Sequence, residues 1–115
     1  MDKDSIYTWE QLLEHIKEDG KSPDSEVRND AMKDIYNMFM FKWRLWKEPI
    51  DKFLNGIVDY ADELHITVCL CILMATNPIK TKLDNRVKFY DAVERRVKRE
   101  YADENEQKSI LCNLK

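Results

Sequence analysis

Glycine occurs only twice and proline three times in 115 residues, too few punctuators for the many turns of a β-sandwich or barrel. Long apolar runs are missing as well. The longest, Val68 to Ala75, is far short of the ~20 residues that span a bilayer. The opening Met1-Asp2-Lys3-Asp4-Ser5 has no targeting h-region. Cysteine is sparse, and its odd count of three favours unpaired thiols in a reducing, cytoplasmic compartment. A net charge of −3 is too small to mark a nucleic-acid mimic or a general DNA binder. No HExxH, Gly-rich phosphate loop, GxSxG or DxDxDG pattern occurs, and few loops are available to hold scattered catalytic residues. An enzyme is therefore not expected, nor is a cofactor or metal.

What is present reads as helix. Charged residues of mixed sign make up 36% and hydrophobic residues 43%, which suits a soluble helical surface over a core rather than disorder. The expected fold is a single all-α domain over residues 1–115, a compact bundle of four to five helices. A chain of this size buries roughly two-thirds of its unfolded surface without metal or disulfide help.

The helix signals follow in order. Thr8 and Gln11 form a capping box before Trp9, Leu12, Leu13 and Ile16, and Gly20 closes the first helix. Ser22-Pro23 opens a second, with Ser22 as N-cap and proline at the first position, running to Glu48-Pro49. Residues 50–76 keep a helical spacing as one long helix or as two broken near Asn55-Gly56 or Asp62-His65. Within them Ile66 to Met74 is apolar all round; a buried strand competes there, but no pairing partner is visible. Asp84 is expected to cap a last long helix with a Val87, Tyr90, Val93, Val97 and Tyr101 stripe, followed by a tail helix around Asn105 to Leu114.

The densest aromatic stretch is Tyr36-Asn-Met-Phe-Met-Phe-Lys-Trp-Arg-Leu-Trp46. At roughly 100° per residue, Tyr36, Phe39, Trp43 and Trp46 share one side of a helix, and Met38, Phe41 and Leu45 the opposite one. A surface helix needs one apolar stripe, so two require cover twice, from within the bundle or from another chain. Aromatic side chains bury large areas at low entropic cost and anchor interfaces.

Residues 80–99 hold eight bases against three acids. Lys88, Arg95 and Arg99 lie near one azimuth of the last helix, with Arg96 beside them. His65 and Cys69 are four apart, but two ligands do not close a zinc site, and a thiol in so apolar a run is inert rather than half of a catalytic dyad. His15 has neither His nor Cys at helical spacing.

These features point to a non-enzymatic protein-binding module, a small adaptor, regulator or inhibitor of a kind that phages and mobile elements encode. The expected partner-binding residues are Phe41, Trp43, Arg44 and Trp46, with Arg95, Arg96 and Arg99 as a second patch. The partner is another protein, a second copy of the chain included, since a two-faced helix pairs readily with its symmetry mate; no membrane is involved. The alternative is a nucleic-acid-binding regulator that contacts phosphates through helix 84–101.

Overall fold

A computed structural model describes the backbone of residues 8–42 and 47–115 and the side chains of residues 8–39 and 50–115. Among the described residues the protein is all-α. It has six α-helices, α1 (Trp9–Asp19), α2 (Ser25–Lys42), α3 (Lys47–Ile57), α4 (Ile66–Thr76), α5 (Asp84–Glu100) and α6 (Glu104–Leu111), with 3-10 turns at Val58–Tyr60 and Asn77–Lys82. The count exceeds four to five because residues 50–76 divide. The helix stops at Ile57, and the chain turns through Val58 to Leu64 before α4 begins. No described helix is long and apolar enough to cross a membrane.

Local chemistry sets most of the boundaries. Thr8 Oγ1 accepts from the Gln11 amide at 3.1 Å and Gln11 Oε1 accepts from the Thr8 amide at 3.1 Å, so the capping box at α1 is complete. At the end of α1, Gly20 is needed for close approach: a Cβ there would stand 2.9 Å from Leu64 Cδ2, and its carbonyl accepts from the His65 amide at 2.9 Å. Helix α2 starts later than Ser22. Asp24 Oδ1 accepts from the Glu26 amide at 2.9 Å, while Ser22 Oγ accepts from Asp24. A carboxylate is the better partner for the positive end of a helix, so the start moves two residues on. Helix α5 is not capped by Asp84, which is already its first helical residue. Its free amide at Asn85 donates instead to Asp51 Oδ1 of α3 at 2.8 Å, and Asn85 Nδ2 donates to Asp51 Oδ2 at 2.8 Å.

The principal packings are α1 on α2 and α3, α2 on α4, α4 on α5 and α5 on α3, which close a ring of five helices, with α6 against α5. Side chains from all five meet inside it, among them Leu12, Ile35, Leu54, Ile72 and Phe89, each fully buried. Burial of each stabilises the fold by about 1.5–3 kcal/mol. Trp9, Phe39 and Phe53 join α1, α2 and α3 in an aromatic triangle, with centroids 5.0, 5.9 and 6.1 Å apart. Such edge-on contacts add to area burial.

The inward stripe of α5 keeps Tyr90, Val93 and Val97 of the expected one and adds Arg86, Phe89 and Arg96, while Val87 is 62% exposed. Two arginines therefore occupy core positions. Arg86 donates to Thr76 Oγ1 and Leu73 O at 2.8 Å and to Leu114 O at 2.6 Å. Arg96 donates to Ala61 O at 2.8 Å, to Leu64 O, and through Nε to Glu100 Oε1 at 3.1 Å. Of these acceptors, Thr76 and Leu73 belong to the last turn of α4, Ala61 and Leu64 to the turn that precedes it, and Leu114 to the segment after α6.

Replacing Arg86 with methionine leaves Leu114 O and Thr76 Oγ1 without the Arg86 donor and Leu73 O with only the longer bond from Thr76 Oγ1. The expected loss is about 3 kcal/mol, read as a lower urea midpoint at unchanged slope. Arg86→Lys recovers little of it, because one ammonium cannot span the fork's three acceptors.

Candidate functional site

Of the sequence-predicted partner-binding residues, Trp43, Arg44 and Trp46 and the side chain of Phe41 lie outside the described part of the structure. The part of the aromatic run that is described begins with Tyr36, which is 43% exposed, and continues with Met38 and Phe39, both buried. Because α2 sits between α1 and α4, the second apolar side is internal at Met38. Met74 on α4 is 53% exposed. The Tyr36 phenol is held above its ordinary value by the adjacent Cys71 thiol and then by burial, and Cys71 lies one helical turn before Met74. Tyr36 and Met74 thus flank one α2–α4 seam.

The basic face of α5 is only partly assembled. Arg95 and Lys88 are exposed, and Arg99 pairs with Asp62 at 2.7 Å on the surface. Arg96 does not join them; it is turned inward onto the carbonyls of Ala61 and Leu64. An open cleft of about 450 Å³ between α5 and α6 mixes charges of both signs, with Glu94, Lys98 and Lys108 on its walls.

His65 and Cys69 do not act on each other. Cys69 Sγ donates to Ala61 O at 3.6 Å, and burial pushes its thiol up to about 12. Burial likewise raises Cys71 to about 11. A thiol so far from ionisation is no nucleophile at neutral pH. His65 is the N-cap of α4: its Nδ1 accepts from the Thr67 amide at 3.3 Å and lies 2.8 Å from Thr67 Oγ1.

The cluster that sequence reasoning missed surrounds His15. Its Nε2 is 2.8 Å from Asp19 Oδ2 and 3.9 Å from Asp30 Oδ2, and its Nδ1 is 2.5 Å from the buried Asp34 Oδ2. Asp19 lies four residues after His15 on α1, and Asp34 four after Asp30 on α2. Helical spacing puts each pair on one face, and the packing of α1 on α2 brings the faces together. A search for aspartate as well as His and Cys partners at that spacing finds both pairs.

The chain matches no family model, no curated protein and no solved structure.

Two measurements probe these environments. With a chromogenic disulfide reagent, the native protein exposes one reactive thiol, Cys112, and the denatured protein all three. Burial first, then the charges of Arg28 and Arg96, hold His65 below its ordinary value of 6.5. The unfolded chain therefore takes up this proton before the folded one, and stability present above that value is lost as pH falls below it. His65→Asn keeps a capping side chain without the titration. Its melting temperature falls less than that of the natural protein between about pH 7.5 and about pH 5.5.

Proposed function

We propose that this chain is a non-enzymatic protein-binding module, a small adaptor, regulator or inhibitor acting in the cytoplasm. It docks another protein, a second copy of itself included, through the aromatic end of α2 and the α2–α4 seam beside it. The observation that carries this reading is the exposure of Tyr36 on α2 and of Met74 on α4, two helices that pack on each other, next in sequence to the run that contains Phe41, Trp43, Arg44 and Trp46. Tyrosine and tryptophan supply anchor area, and methionine adapts to an irregular partner surface.

The deep burial of Cys69 and Cys71 favours a binding role over nucleophilic catalysis, and their free thiols accord with a reducing compartment. Arg95 and Arg99 form the second patch. Arg96 supports the fold beneath it rather than the contact. Nucleic-acid binding through α5 draws on fewer cations than the sequence suggested, because Arg96 is inside and Arg99 already faces Asp62.

Tyr36→Glu combined with Met74→Glu alters two exposed positions, so stability stays within about 1 kcal/mol. Self-association, read by light scattering at micromolar concentration, or capture of the partner is abolished. A strict monomer whose tryptophans are all shielded from acrylamide overturns the reading, since no aromatic face is then left to dock.

A further inference from the structure

We propose that α1 and α2 together bind a divalent transition-metal ion of the zinc class, with His15 Nε2 and the carboxylates of Asp19 and Asp30 as ligands and Asp34 as the positioning residue for the imidazole. The three ligand atoms lie within 4.8 Å of one another. A tetrahedral ion with bonds of about 2.0–2.2 Å needs its donors about 3.3 Å apart. The distances from Nε2, 2.8 Å to Asp19 and 3.9 Å to Asp30, stand on either side of that value. The two separations from Nε2 thus lie within about 0.6 Å of what the ion needs.

Asp34 supplies an independent observation. Its side chain is 4% exposed and directed at the far ring nitrogen of His15, 2.5 Å away. That Nδ1 is itself buried and has no aligned hydrogen bond. A carboxylate on the far nitrogen of a metal-bound imidazole is the usual outer-shell partner, because it fixes the tautomer and the ring plane. An ion bound at Nε2 would leave the ring's one proton on Nδ1, the nitrogen beside Asp34.

The donor set also selects the ion. One imidazole with two carboxylates suits zinc and its neighbours, whereas magnesium and calcium prefer oxygen throughout. Three protein ligands leave a fourth position for water. Two ligand carboxylates match the charge of the dication. An ion held in this way staples α1 to α2 across the connection between Asp19 and Ser25.

The test is calorimetric titration of the full chain with zinc chloride after treatment with a chelator, in a Cys112→Ser background that removes the exposed thiol. One saturable site is expected, with a raised melting temperature and no competition from magnesium. His15→Gln and Asp30→Asn weaken it at least about 10-fold, and Asp34→Asn by about 10- to 100-fold. In the natural sequence, zinc shifts the His15 Nε2 resonance and leaves the His65 ring unmoved, a readout that survives if a variant fails to fold. Absence of saturable binding, an unmoved His15 ring, or affinity undiminished from the parent in His15→Gln and Asp30→Asn overturns the proposal.

Discussion

Helix α4 has no charged residue along its eleven positions, Ile66–Thr76, and most of its surface is inside the protein. Its last-turn carbonyls enter the core with only the Thr76 hydroxyl of the helix itself to meet them. The cations at its two ends come from α5. Arg86 closes the C-terminal end, and Arg96 holds the turn before the N-terminal end. Burying a guanidinium is costly, but each one here finds acceptors for its fork, so the expense is offset by groups that would otherwise stand unpaired. The planar, always-charged arginine suits this role better than lysine.

With α4 anchored in this way, the ring of five helices has a fixed wall against which α2 packs. This is why α2 tolerates apolar residues on two sides: Phe39 faces the triangle with Trp9 and Phe53, and Met38 is enclosed as well. Among the described residues of these two helices, the ring leaves Tyr36 on α2 and Met74 on α4 exposed.

The fold class was legible because local signals agreed with one another. The Thr8–Gln11 box and the apolar character of Ile66–Met74 each involve neighbours in sequence. Misreadings arose where the partner was distant. Asp84 is a plausible cap, but Asp51 does that work from 34 residues away. Arg86 and Arg96 look like surface residues until the carbonyls of α4 and its preceding turn are placed beside them. The α5 stripe then keeps Tyr90, Val93 and Val97 and widens to take in Arg86, Phe89 and Arg96, and Val87 lies outside it. The His15 cluster stayed hidden for a related reason: each helix carries only half of it, and aspartates on a polar border look like ordinary solvated charge.

The Asp51–Asn85 bond also bears on the order of folding. A helix whose first turn lacks its own cap starts from a costly nucleus, so α5 depends on α3 for its start. That contact closes a long loop, and its entropy must be met before the bond rewards it. The start of α5 is thus tied to α3 across 34 residues, and α5 carries the two arginines that bracket α4. A change at Asp51 therefore reaches α4 through a helix that it does not itself adjoin in sequence.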